Sequence, residues 1–370
     1  MKKTTMCLLL SVSILLCAGV SHAATVKIGV VGPLTGPVAV GGLHTKNGLE
    51  LAKDEINAKG GIPGVGKIEL IYEDDKCVPP ESVNAVTKLV HRDKVLVVIG
   101  SVCTSSTLAG MVVTEKAKTP QITPVSSGAA ITQKGNKWIF RTQIADSVRA
   151  QVLAEFTVKG LKKKKIGVVH DADDYGRDGA DAFIATLKGL GVEPRVRESF
   201  NRKDKDFSGQ LSKMKNAGVE VLVVWGLPEE TSLVARQAKD MGLNIQLMGG
   251  DPMANPRTIQ LAGPALEGAL SAIGFVKTDP SPRVQTFVKK YEARFNTPAD
   301  NVAANSYDCL HLLAQAIEKS GTDKKKLRDT LLKMRFEGVT GVTTFDDGGG
   351  SLLRPGVVTI RGGEVYKYEQ

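Results

Sequence analysis

Two hydrophobic patterns alternate along almost the whole chain. Short apolar runs such as Val26–Val31, Val95–Ile99 and Val219–Val224 give way to longer stretches in which apolar residues recur every three or four positions. The runs predict strands buried on both faces, and the stretches predict amphipathic helices covering them. A first series reads as strands Val26–Val31, Ile68–Glu73, Val95–Ile99 and Gln121–Val125, separated by helices Leu43–Asn57, Glu81–Arg92 and Ser105–Ala117. A second begins near Asp146, with strands Lys165–His170, Pro194–Phe200, Val219–Val224 and Gln246–Gly249. Its helices are Ser147–Lys159, Gly176–Leu190, Phe207–Asn216 and Glu229–Met241. Two such series predict two α/β lobes, each a Rossmann-like, doubly wound parallel sheet.

The last third breaks the rhythm. Strand Ala269–Phe275 precedes helices Pro282–Phe295, Ala299–Lys319 and Lys324–Met334, and then comes a β-rich tail with a hairpin, Gly356–Ile360 and Glu364–Tyr368. Such a tail continues neither lobe simply, so the chain is expected to cross between lobes more than once. The expected division is 24–145 with 275–345 in one lobe and 146–274 with 346–370 in the other. Gly348–Gly350 is the expected flexible crossing.

The amino terminus adds a compartment. Lys2 and Lys3 precede the apolar run Leu8–Val20, and Ser21 and Ala23 are small residues suited to cleavage after Ala23, so residues 1–23 read as an export signal. The run is shorter than the ~20 residues that span a bilayer. A lipoprotein reading would use Cys17, but Leu16 sits where a small residue is wanted. A soluble periplasmic protein is therefore expected, with no membrane segment after the domain.

The formal net charge is +10, two units of which are Lys2 and Lys3. Basic clusters at Lys162–Lys165 and Lys324–Lys326 lack interleaved aromatics, so they read as solvated element ends and nucleic acid is not an expected partner. Cys77 and Cys103 each follow a strand of the first series, where a disulfide is geometrically reasonable and an exported chain permits it. Cys309 falls in an apolar helix and reads as a buried thiol. None of the three is paired at metal-binding spacing, so no metal is expected. There is no phosphate-binding P-loop, no G-x-S-x-G elbow and no H-E-x-x-H helix, so no cofactor and no enzymatic activity are expected.

In open α/β sheets, ligands bind beyond the carboxyl ends of the strands. Gly100–Thr107 is a hydroxyl-rich turn leading into a helix, and Thr123–Gly128 repeats the theme on the next strand. N-capping explains one hydroxyl but not four; a carboxylate shared by both turns is the other reading. Asp251, at a strand end of the second series, either caps a turn or accepts from an ammonium group. Tyr175 either packs at the cleft rim or contacts ligand. Trp225 and Leu227 either wall an apolar pocket or, for Trp225, belong to the core, and His170 reads as structural.

On these residues the chain resembles the type I periplasmic solute-binding proteins of ABC importers, within them the branched-chain amino acid-binding group. The matching stretches are Ile28–Pro37, Ile56–Gly61, Ile99–Thr107, His170–Gly176, Arg236–Ala238 and Met248–Asp251. The resemblance implies two lobes joined by a three-strand hinge that close on a ligand. It implies that Thr104 and Ser127 hold an α-carboxylate, with Val125 and Ser126 offering backbone groups. Asp251 would hold the α-ammonium, where the family often has Glu, and Tyr175 would be a cleft tyrosine. It also implies a Cys77–Cys103 disulfide, membrane permease subunits as partners and a monomeric state. The chain departs from the family at Val40–Gly42, where an aromatic is common, and at Leu227–Pro228, where some members have tyrosine. The expected ligand is leucine, isoleucine or valine. The alternatives are an aromatic acid or amide on the same fold and, less favoured, a secreted enzyme.

Overall fold

A computed structural model describes residues 25–369. The expected export signal, with Cys7 and Cys17, lies outside the described residues.

The first half of the chain runs β1 (Thr25–Gly32), α1 (Ala39–Ala58), β2 (Lys67–Asp74), α2 (Pro79–Thr87), β3 (Val97–Ile99), α3 (Thr104–Lys116), β4 (Gln121–Thr123), α4 (Ala130–Gln133) and β5 (Ile139–Arg141). It continues through α5 (Asp146–Glu155), β6 (Ile166–Asp171), α6 (Asp174–Gly189), β7 (Val196–Phe200), α7 (Ser208–Asn216), β8 (Val221–Trp225), α8 (Pro228–Asp240) and β9 (Gln246–Gly249). The remainder is α9 (Pro256–Ala262), β10 (Leu270–Ile273), α10 (Pro282–Phe295), α11 (Asn301–Ser320), α12 (Lys324–Leu331), β11 (Phe336–Gly338), β12 (Gly341–Thr343), β13 (Gly356–Arg361) and β14 (Glu364–Lys367).

Two sheets organise these elements. The first is entirely parallel, in the order β2-β1-β3-β4-β5. The second is ordered β14-β13-β10-β9-β8-β6-β7, parallel from β7 to β10 and extended at one edge by the antiparallel hairpin β13–β14. Within each parallel core the strand order reverses beside the first strand, between β1 and β3 and again between β6 and β8. Doubly wound sheets bind ligands at such reversals, because the loops there diverge to opposite faces and leave a crevice.

The central strands are Val- and Ile-rich because helices cover both their faces. Ile28, Val97 and Ile99 pack with Leu310, Leu313 and Ile317 of α11, which joins the first sheet although it is distant in sequence. Val168, Val221 and Val223 pack with Ala150, Phe183 and Leu187 in the second. Trp225 is fully buried there, its ring against Phe183, and so belongs to the core.

The chain passes between the sheets at residues 142–145, 274–277 and 351–355. Gly348–Gly350 is not the crossing. Asp346 accepts from the backbone N–H of Gly348 and Gly350, and Arg141 N–H donates to the Gly349 carbonyl at 2.9 Å, so the three glycines form an anchored turn on β5. The tail therefore stays with the first sheet past residue 346, and the crossing follows it. The glycines serve close packing: at Gly349, with φ of +83°, a Cβ would lie 2.4 Å from the Ile139 carbonyl oxygen.

Candidate ligand-binding site

Both reversal points open into one cavity of about 330 Å³, at the small end of the roughly 300–1,000 Å³ typical of ligand pockets. Thr104, Val125, Ser127, Tyr175, Leu227 and Asp251 all line it. Ser126 does not.

The first-sheet wall is built around Gly100. Its φ is +117°, and a Cβ there would sit 2.0 Å from the Val31 carbonyl oxygen, so only glycine lets the β3 loop lie against β1. That loop delivers Cys103 and Thr104 to the start of α3. Cys103 is bonded to Cys77 with a Cα–Cα separation of 5.6 Å, which ties the β2 exit to the same helix start. The Thr104 hydroxyl accepts from Gly128 N–H at 3.3 Å, which leaves its own proton available to a ligand in the cavity that Thr104 lines. The amino-terminal N–H groups of α3 add a positive end to the wall, a setting that favours an anion.

Ser126 works behind this wall. Its Oγ lies 2.6 Å from Thr107 Oγ1 and 2.9–3.0 Å from the carbonyls of Ser101 and Val102, and its N–H donates to Thr123 Oγ1 at 3.0 Å. Both its backbone donor and its side chain are engaged, so it braces the two loops instead of facing the cavity. Ser127 does face it, but its Oγ donates to Asp146 Oδ2 at 2.7 Å.

Across the cavity, Asp173 caps α6 by accepting from Gly176 N–H at 2.9 Å, which sets Tyr175 in the first turn. The Tyr175 hydroxyl is buried without a hydrogen-bond partner among the described residues, and burial, with Asp146 and Asp251 nearby, pushes it well above its ordinary value. Gly250 makes room for it, since a Cβ there would lie 2.9 Å from that oxygen. Asp251 follows at the start of the short turn Asp251–Ala254, with Oδ1 3.9 Å from Arg149 Nη1 and Oδ2 3.5 Å from Asn301 Nδ2. Leu227, Val38, Val102, Ile273 and Phe275 supply apolar lining between the two poles.

The residues that unite the site were absent from the sequence reading. Arg149 is completely buried and donates to Ala272 O (3.1 Å), Ile144 O (2.8 Å), Gln143 Oε1 (2.8 Å) and Asp146 Oδ1 (3.2 Å). Burial and the charge of Asp251 push the Asp146 carboxyl up to about 6, although Arg149 and Ser127 oppose the rise. Asp300 and Asn301, at the start of α11, also line the cavity. No local motif marks these positions; only the tertiary path of the crossing segments brings them to the cleft. His170 lies outside the cavity lining, with Nδ1 2.7 Å from the Asp171 carbonyl oxygen and Nε2 accepting from Arg197.

The sequence profile described as "Periplasmic binding protein" matches residues 25–359. The chain belongs to the periplasmic binding protein family. This binding protein is 34% identical over 328 residues to the leucine-, isoleucine-, valine-, threonine- and alanine-binding protein of Pseudomonas aeruginosa, covering 88% of this chain and 87% of that one. It superposes on the leucine-binding protein LivK of Thermotoga maritima with a TM-score of 0.86 at 30% identity, covering 93% and 98% of the two chains. The isoleucine complex of LivJ from Streptococcus pneumoniae gives 0.85 at 30% identity, covering 92% and 97%. A benzoate-bound solute-binding protein from R. palustris shares the fold with a TM-score of 0.86 at 21% identity, covering 93% and 95%.

Proposed function

We propose that this chain is the periplasmic receptor of an ABC importer, capturing a free aliphatic α-amino acid (leucine, isoleucine or valine) between its lobes and delivering it to membrane permease subunits. One observation carries this reading. The anion-favouring wall of Thr104, the start of α3 and Ser127 shares a single small cavity with the carboxylate of Asp251, and apolar residues lie between them. A zwitterion with an aliphatic side chain satisfies both poles and the wall together. Charge-assisted hydrogen bonds at such poles each contribute roughly 1.5–3 kcal/mol. The relatives named for leucine, isoleucine and valine support the choice of side chain. On this reading the chain is exported as a monomer after cleavage following Ala23, and it alters no covalent bond of its ligand.

The test is a thermal-shift screen of the amino acids together with benzoate-type acids and amides, followed by calorimetry. Stabilisation by leucine, isoleucine or valine, and its loss in Asp251→Ala with the fold retained, is the expected result. Stabilisation only by ligands lacking an ammonium group would replace the amino acid with an aromatic acid or amide.

A further inference from the structure

The site contains a buried charge cluster that none of the expected ligand contacts requires. Asp146 and Arg149 have fully buried side chains, and Asp251 lines the cavity with its side chain 13% exposed. Ser127 Oγ donates to Asp146, Asp146 pairs with Arg149, and Arg149 approaches Asp251, so a continuous path joins the carboxylate pole to the ammonium pole through the base of the cleft. Arg149 also donates to the Ile144 carbonyl in one crossing segment and the Ala272 carbonyl just before another, which fixes the path to the hinge.

Asp146, Asp251 and Arg149 carry one surplus negative charge between them, since Arg141, the other cation that faces Asp146, is shared with Asp346. In a medium of low effective permittivity that charge is costly unless a cation arrives or a proton is taken up. We propose that Asp146 and Arg149 are positioning residues for the ligand's ammonium group: with Asp251 they form a three-charge cluster whose surplus negative charge is neutralised by the bound cation. This rests on the amino acid reading above and assigns the charge balance of that same site.

The proton is the competitor of the ammonium. The groups facing Asp146 are Arg149 on its own helix, Ser127 from the loop after β4, Arg141 on β5, Tyr175 on α6 and Asp251 after β9. Among the described residues Arg149 is the sole cation in direct contact with Asp146, and Arg141 donates instead to the Gly128 carbonyl. Asp146, completely buried and pushed up to about 6, takes a proton as the pH falls toward that value when no ammonium is present. Leucine binding then releases a proton from Asp146, and leucine affinity declines as the pH falls below that value. A ligand lacking the ammonium gains nothing from the ionised cluster.

The deciding experiment is calorimetry with leucine and with 4-methylpentanoate, which is leucine without its ammonium. Wild type and Asp146→Asn are compared from about pH 5 to about pH 8, a window that brackets the carboxyl. The wild type is expected to lose leucine affinity on the acid side. Asp146→Asn should bind leucine roughly tenfold more weakly at neutral pH, the effect of removing one nearby unit charge, with an affinity flat across the window. Its affinity for 4-methylpentanoate should be unchanged or higher. Ser127→Ala removes the hydrogen bond that favours ionised Asp146, so the acid limb should move to higher pH; this holds the test open if Asp146→Asn fails to fold. Equal losses for both ligands would mean a structural defect and would overturn the proposal, as would a wild-type pH profile in both variants. A wild type that binds no amino acid would instead remove the functional reading, and the proposal with it.

Discussion

Asn255 Nδ2 donates to Asp300 Oδ2 at 3.2 Å, joining the turn after β9 on the second sheet to the start of α11 on the first. The reciprocal pair lies beside it, with Asn301 Nδ2 3.5 Å from Asp251 Oδ2. Each aspartate thus faces an asparagine of the opposite lobe. Asp300 is further held by His44 Nδ1 at 2.7 Å and caps α11 through Ala303 N–H, so its geometry does not depend on the cleft being shut. The two pairs form a clasp whose halves are each preset within one lobe. The Asn255–Asp300 half of the clasp joins the two lobes without using the carboxylate assigned to the ammonium, whereas the Asn301–Asp251 half shares it.

Asn255→Ser keeps a capping hydroxyl for α9 but is too short to reach Asp300, so it should leave the fold intact and speed leucine release, weakening affinity by roughly threefold to tenfold, as expected for one hydrogen bond to a charged group partly replaced by water. Stopped-flow release measures this directly. An unchanged release rate would show that the clasp contributes nothing to closure.

Thr104→Val removes the hydroxyl from the cavity wall while preserving side-chain volume. Leucine affinity should fall by roughly tenfold to a hundredfold, with 4-methylpentanoate losing a similar factor because the carboxylate pole is common to both. A loss confined to leucine, read by calorimetry, would place Thr104 at the other pole.

Stability should depend on pH through carboxyls displaced in opposite directions. Asp146 and Asp171 are both raised to about 6, chiefly by burial, with Asp251 and Asp173 respectively adding to the rise. Between their unfolded values and about 6 the folded chain binds more protons than the unfolded one, so these groups make the ligand-free protein less stable as pH rises through that window. Glu55 is the contrary case. Burial raises it, but bonds from His311, Lys290 and Tyr307 outweigh this and hold it at about 2; its stabilisation is present above the usual glutamate range and is lost as pH falls toward that value. Denaturant melts at several pH values should show a shallower decline from acid to neutral pH in Asp146→Asn than in the wild type. Parallel curves would mean that Asp146 titrates alike in both states.

The parallel cores of both sheets were legible because every central strand is covered on both faces, which forces continuous apolar runs such as Val95–Ile99 and Val219–Val224. Most of the expected site residues could be placed because strand-end position follows from strand order, and Thr104, Ser127, Tyr175, Leu227 and Asp251 line one cavity. What escaped depends on distant partners. β5, only Ile139–Arg141, is too short to carry a pattern of its own and exists by pairing with β4. The α9 helix (Pro256–Ala262) is a seven-residue segment signalled only by its Asn255 cap and following proline. The resemblance placed Ser126 in the site through its backbone groups, yet its N–H donates to Thr123 Oγ1 and its hydroxyl turns toward Ser101 and Val102, while its neighbour Ser127 lines the cavity. Arg149 resembled any surface helix arginine until three carbonyl oxygens and one carboxylate converged on its guanidinium.

The Cys77–Cys103 bond has a consequence for where the receptor can mature. Cys103 is the residue before α3 and itself lines the cavity, so the cross-link immobilises the segment that presents Thr104. In a reducing compartment that segment would lose its tether to the end of β2, and the anion wall would fray before the rest of the lobe. An oxidising compartment, the setting in which such a bond persists, is thus where this wall holds its shape.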